Sequence, residues 1–208
     1  MTDQNHRTID SYNRAFEKYL ATMRPAPAEH VKAWLDKAID GLNKDSKILE
    51  LGSGVVTEAD YLESLGYKVI RSDIVDGFID FIKAQGHDCL KLNALTDDLP
   101  TDCDLIFANA VFLHFTNSQA KIFLDNCYKS IKTGGLLAIT TKKGEDDYWQ
   151  MNKLDLPRYE NYWQVDDLEN LVAGHGFKVL NIDEADEVFA SNYKLKTSWL
   201  NLIARRTG

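Results

Sequence analysis

The chain has 208 residues, 44% of them hydrophobic and 27% charged, which suits one globular domain with a sizeable core. With 32 acidic against 24 basic side chains it carries a formal charge of -8, which argues against a nucleic-acid backbone as the main partner, because Lys and Arg make that contact. The polar start MTDQNHRTID lacks the apolar core of a signal peptide, no run approaches the ~20 apolar residues of a membrane span, and the three cysteines (Cys89, Cys103 and Cys127) show no CxxC or Cys/His spacing. A cytoplasmic protein without a metal site, monomeric or homodimeric, is expected.

In chain order, SYNRAFEKYLATMR reads as a helical arm with Tyr12, Phe16 and Tyr19 on one face, ended by Pro25 and Pro27. Val31, Trp34, Leu35, Ala38, Ile39 and Leu42 follow at helical intervals. Strands and helices then alternate. KILEL is a strand, TEADYLESL a helix, YKVIRSD the second strand, GFIDFIKAQG the second helix and DCLKLNA the third strand. DCDLIFANA is the fourth strand, QAKIFLDNCYKSI a long amphipathic helix and GGLLAITT the fifth strand. Such alternation with short connections predicts a parallel sheet wound with helices on its faces. From Lys142 to Gln164 the sequence is polar and aromatic with little periodicity, and reads as a functional loop or lid. The helix DDLENLVAGHG and the strand-like runs FKVLNID and SWLNLIARR close the chain. One domain is expected over 1–208, with an arm (1–43), a core (44–141), a lid (142–165) and a C-terminal helix and strands (166–208).

ILELGSG is the most informative segment. A buried strand runs into Glu50, Leu51, Gly52, Ser53 and Gly54, where glycines allow a sharp turn and close approach of a ligand. Asp73 lies 21 residues after Gly52, at the end of the next strand, a spacing that suits a carboxylate bound to a ribose diol. A dinucleotide site would show GxGxxG, and this turn has no third glycine. Glu50 would repel a pyrophosphate but could help hold an ammonium group. S-adenosylmethionine carries an ammonium, a sulfonium and a ribose diol and no phosphate, so the charges favour it over a nicotinamide cofactor.

These segments together resemble the class I, Rossmann-like S-adenosylmethionine-dependent methyltransferases over nearly the whole chain. ILELGSG looks like their first motif and SDIV like the acidic end of their second strand. KLNALTDDLP resembles the adenine-capping segment, CDLIFANAVFLHF the fourth-strand motif and IKTGGLLAIT the helix-turn-strand after it. Val56 departs from the pattern, since many members have glycine there. The resemblance implies an open, doubly wound, mostly parallel seven-stranded α/β sheet with helices on both faces and the last strand antiparallel. It places Glu50 near the methionine end of the cofactor, with Gly52, Ser53 and Gly54 along it. It puts Asp73 on the ribose, Ile74 on the adenine, Asn93 and Ala94 at the adenine edge, and Asn109 and Ala110 by the methyl group. Tyr12, Tyr19 and Arg24 of the arm either close over the cofactor or serve ordinary helix packing.

For the acceptor side, His114 is the candidate general base, or else a structural histidine bonded to backbone. In the lid, Tyr148, Trp149, Tyr159, Tyr162 and Trp163 could wall a pocket, Glu145 and Asp147 could recognise an amine, and Arg158 a carboxylate or phosphate. The function this implies is methyl transfer to an O or N nucleophile of a small molecule. A non-catalytic cofactor-binding module and a nicotinamide-dependent oxidoreductase are the alternatives.

Overall fold

The computed structural model describes residues 3–22, 24–151, 153–188 and 196–208. Met23 and Asn152, in the expected arm helix and lid, lie outside them. The run KILEL forms β1 (Ile48–Leu51), and all four of its residues are buried, as in a strand covered on both faces. Around it stand β2 (Val69–Asp73), β3 (Leu90–Lys91), β4 (Cys103–Ala108), β5 (Ile131–Lys142), β8 (Phe177–Val188) and β9 (Lys196–Arg206). The order across the sheet is β3-β2-β1-β4-β5-β9-β8. β1 to β5 run parallel, and β9 is antiparallel to both β5 and β8. The seven-stranded sheet with its final strand reversed is therefore present as the resemblance implied.

Side-chain alternation along β4 divides the core. Leu105 and Phe107 face one cluster, with Trp34 and Leu35 of α3 (Glu29–Ile39) and Leu62 of α4 (Thr57–Ser64). Ile106 and Ala108 face the other, with Phe123 and Leu124 of α6 (Asn117–Ser130) and Leu168 and Val172 of α7 (Val165–Gly174). Helices thus cover both faces. The α3 stripe follows the i, i+3, i+4, i+7 spacing of its sequence, and Trp34 Nε1 donates to the Leu202 carbonyl at 3.0 Å, so its one polar atom is satisfied. Thr116 and Gln119 form a capping box that fixes where α6 starts.

Several elements differ from the sequence expectation. The arm begins earlier, as α1 (Asp3–Arg14), and breaks at Ala15 before the short α2 (Phe16–Leu20). The third strand shrinks to two exposed edge residues, where pairing on one side only gives little reason to extend. β8 and β9 are longer than the apolar runs that suggested them, because they pair with each other beyond the core. The segment 142–164 is not a structureless loop. It contains β6 (Asp147–Gln150) and β7 (Arg158–Asn161), paired antiparallel. All four residues of β7, Arg-Tyr-Glu-Asn, are buried, so the strand carries no apolar alternation to read. Among the described residues no helix is long and apolar enough to cross a membrane.

Candidate active site

β1, β2, β4 and β5 are parallel, so their carboxyl ends lie along one edge of the sheet, where β1 and β4 mark the reversal of winding order. A cavity of about 1110 Å³ opens there. That volume is ample for a cofactor and a small second molecule together. Its wall includes most residues singled out from the sequence: Gly52, Ser53 and Gly54 after β1, Asp73 and Ile74 after β2, Asn93 and Ala94 after β3, and Asn109 and Ala110 after β4. Tyr12, Tyr19 and Arg24 of the arm, His114, Arg158 and Tyr162 complete that set.

The turn after β1 is held by geometry that glycine alone allows. Gly52 has φ +76°, and a Cβ there would stand 2.5 Å from Val111 Cγ2. Val56, where a glycine was expected from the resemblance, adopts the same left-handed region with φ 67°, and so does Ala110 with φ 55°. Both positions flank the cavity, and non-glycine residues in that region store strain of about 1–2 kcal/mol each. Asp73 accepts from the backbone N–H of Gly54 and of Val75, both at 2.9 Å. Burial nevertheless pushes its carboxyl up to about 6.

Glu50 does not reach the wall. It is 2% exposed, its Oε2 has no hydrogen-bond partner among the described residues, and burial, helped by the nearby Glu58 charge, raises its carboxyl to about 8. Glu58, which the sequence reading missed, lines the cavity instead. Its carboxylate accepts from Asn109 Nδ2 and Thr57 Oγ1, each at 2.8 Å, while burial raises its pKa. An acid in the first turn of a helix reads as ordinary dipole complementation, which hides it in the sequence.

These features fit S-adenosylmethionine better than a phosphate-bearing cofactor. Glu58 and Asp73 flank the glycine turn with acidic groups, where a pyrophosphate would be repelled and a sulfonium and ammonium attracted. Asn93 Nδ2 is a buried donor without a partner among the described residues, beside the stretch expected to meet the adenine.

The opposite part of the cavity centres on His114. Its Nδ1 lies 2.7 Å from the Tyr159 carbonyl, which only accepts, so Nδ1 carries the hydrogen. Nε2 is then the acceptor, and Tyr12 Oη donates to it at 3.0 Å. Tyr12 Oη in turn accepts from Arg158 Nη1 at 3.1 Å. Burial, reinforced by the Arg158 charge, pushes His114 down to about 4, so the ring is neutral at pH 7. His114 thus bonds backbone through one nitrogen and accepts a side-chain hydrogen bond through the other.

The proposed lid divides. Arg158 and Tyr162 line the cavity together with Lys142, Lys143, Gln150, Lys153 and Glu160, which the sequence reading had not picked out. Trp163 turns into the core against Phe112, with ring centroids 5.6 Å apart. Tyr148 and Trp149 are 43% and 40% exposed, Glu145 and Asp147 are exposed too, Tyr159 is buried, and none of the five lines the cavity. β7 is instead stitched to the arm: Thr8 Oγ1 accepts from Tyr159 N at 3.1 Å, and Ser11 Oγ donates to the Pro157 carbonyl at 2.7 Å. Outside the cavity, Asp60, Glu63 and His87 could together reach one metal ion, but the Arg71 guanidinium already occupies both carboxylates at 2.6–2.7 Å.

A family profile described as a methyltransferase domain matches residues 19–182. Phosphoethanolamine N-methyltransferase of Plasmodium falciparum is 28% identical over 161 residues, which are 74% of this chain and 55% of that protein, so the chain spans about half the length of this curated relative. Among solved structures, the 1,6-didemethyltoxoflavin N1-methyltransferase of Burkholderia thailandensis, with its substrate and S-adenosylhomocysteine bound, superposes with a TM-score of 0.73 at 13% identity, covering 100% of this chain and 92% of that one. The magnesium protoporphyrin IX methyltransferase of Synechocystis, with S-adenosylmethionine bound, also reaches 0.73 at 13% identity, with 100% and 99% covered. At that identity the two structures establish a shared fold.

Proposed function

Because the chain belongs to the methyltransferase-domain family, we propose that it is a class I, S-adenosylmethionine-dependent enzyme that methylates an O or N nucleophile of a small molecule in the cavity lined by Asp73, Asn109 and His114. The observation that carries the proposal is the hydrogen-bonded line Arg158–Tyr12–His114 in the wall of the same cavity as Asp73 and the glycine turn. The small-molecule relatives support this choice of acceptor.

Asp73 would accept hydrogen bonds from the ribose hydroxyls, and the backbone of Gly52, Ser53 and Gly54 would border the methionine part. Ile74, Asn93 and Ala94 would enclose the adenine, with Tyr19 and Arg24 of the arm over it. Glu58, clamped by Asn109 and Thr57, would hold the ammonium, and Glu50, kept largely protonated by burial, would stand behind the wall as a neutral carboxyl. When bound, S-adenosylmethionine supplies a methyl group on a positively charged sulfonium. The acceptor is aligned by the cavity wall, and such alignment can supply roughly 7–11 kcal/mol of the barrier. Its proton passes to Tyr12 Oη while Tyr12 gives its own to His114 Nε2. The resulting imidazolium keeps its Nδ1–H on the Tyr159 carbonyl, and Arg158 stabilises charge on the Tyr12 oxygen. The segment 142–165 is the acceptor-side wall of this arrangement, acting through β7 and Lys142 rather than through its exposed aromatics.

Two measurements test this reading. Mass spectrometry of small-metabolite pools incubated with methyl-labelled cofactor should show label in an O- or N-methylated product; label only in macromolecules would contradict the choice of acceptor. Cofactor affinity should also depend on pH in a defined direction. Asp73 must be ionised to accept from the diol, and its carboxyl titrates at about 6 rather than its ordinary 3.8. Affinity measured by calorimetry is therefore full above pH 7 and falls as pH drops through 6. Constant affinity down to pH 4.5 would remove Asp73 from the role.

A further inference from the structure

Charge is unevenly placed along the cavity. Two of its acidic groups, Glu58 and Asp73, follow β1 and β2, whereas Lys142 ends β5, and Arg158 and the third acid, Glu160, lie in β7. Strands β2 and β5 are three positions apart, which at ~4.8 Å per strand separates Asp73 from Lys142 by roughly 14 Å. That is room for a cofactor at one end and an acceptor at the other.

At the β5 end Glu160, 1% exposed, is bound on both oxygens. Lys142 Nζ lies 2.5 Å from Oε2, and Arg158 Nη1 lies 3.2 Å from Oε1. Tyr162 Oη donates to Oε2 at 3.2 Å. Burial acts to raise the Glu160 carboxyl, but Lys142 and Arg158 outweigh it and hold it below its usual range. One carboxylate thus serves two cations, and neighbouring His114 and Tyr12 are held in their neutral forms. A positive charge is left over in a largely water-excluded wall. Arg158 is 7% exposed, and its Nε has no hydrogen-bond partner among the described residues. Lys143 lines the same end and pairs outward with the half-exposed Glu184. A buried unbalanced charge is costly to keep and gains most from an incoming counter-charge.

We infer that the acceptor carries an oxyanion, a carboxylate or a phosphate ester, which docks on Arg158 and Lys142 at the β5 end while Glu160 holds the two cations apart and in place. The inference rests on reading this cavity as the methyl-transfer site, and it narrows the acceptor to an anionic or zwitterionic small molecule. A planar guanidinium and an ammonium side by side suit the two or three oxygens of such a group.

The test uses inorganic phosphate and acetate as probes, titrated into the full chain saturated with S-adenosylhomocysteine, with sodium chloride at matched ionic strength as reference. Phosphate or acetate should bind in the millimolar range. Arg158→Gln and Lys142→Gln should weaken that binding at least tenfold. Glu160→Gln should tighten it severalfold, because both cations lose their internal partner; a merely structural role for Glu160 gives no such gain. A preference for phosphate would point to a phosphate ester, and equal binding of acetate to a carboxylate. If S-adenosylhomocysteine binds but neither anion registers above chloride, or if Glu160→Gln weakens anion binding, the inference is overturned while the methyltransferase reading stands. A protein that binds no S-adenosylhomocysteine overturns both.

Discussion

His114→Gln is expected to lower turnover by about 100- to 10,000-fold, the usual cost of losing a positioned base, while S-adenosylmethionine affinity stays nearly unchanged. Tyr12→Phe should fall in the same range, since the Tyr12 hydroxyl is the atom bonded to His114 Nε2 at 3.0 Å. Because the two act as one proton-accepting unit, the double variant should be little worse than either single one. The pH profile adds a second reading. His114 must be neutral to accept a proton, and burial sets its value at about 4 rather than the ordinary 6.5. With cofactor saturating, the acidic limb of turnover should therefore lie near 4 and vanish in His114→Gln. The same shift has a stability consequence of fixed sign. Between about 4 and 6.5 only the unfolded chain protonates this residue, so its contribution to stability is full above 6.5 and is lost as pH falls toward 4. A His114→Gln protein that melts lower but turns over normally would leave His114 as a backbone anchor only.

Gly52→Ala is the second large effect. The added Cβ would meet Val111 Cγ2 at 2.5 Å, and φ +76° is itself unfavourable for alanine by about 1–2 kcal/mol. Relief requires the turn or Val111 to move, and both belong to the cavity wall. A total cost of about 3 kcal/mol corresponds to a loss of roughly a hundredfold in cofactor affinity. Adding Val111→Ala removes the clash but not the backbone strain, so the pair should recover part of the loss and not all of it. Calorimetry on the two variants checks this, and wild-type affinity in Gly52→Ala would show that the turn does not border the cofactor.

The glycine-turn end of the cavity was legible in the sequence because its geometry is local. Gly52, Gly54 and Asp73 are fixed by strand-turn-helix geometry and by a spacing that any βαβ unit imposes. Glu58 escaped because one half-buried carboxylate in a helical first turn looks like any other until Asn109, 51 residues away, closes on it. The acceptor half was only partly legible. Arg158 and Tyr162 stood out by type, but so did Tyr148, Trp149 and Trp163, and nothing in their order says which face of a hairpin each takes. The buried strand Arg158–Asn161 has no apolar pattern because its backbone and side-chain polar groups bond to the arm, to Lys142 and to Phe115, contacts made across more than a hundred residues in the case of Tyr12 and Thr8. Pattern reading detects burial in an apolar core; it does not detect burial in a polar network.

Calorimetric titration of S-adenosylmethionine into the wild-type chain and into Asp73→Asn tests the central claim most directly. The amide keeps the size of the side chain but only one of the two acceptor oxygens that the Gly54 and Val75 amides use, and it loses the charge that strengthens bonds to a diol. Wild type should bind one equivalent, and Asp73→Asn should bind tenfold to a hundredfold more weakly, the loss of a charge-assisted bond being about 1.5–3 kcal/mol, with a melting temperature lowered by the one backbone amide left without its acceptor. Equal affinity in the two proteins would contradict the placement of the cofactor at the carboxyl ends of β1 and β2.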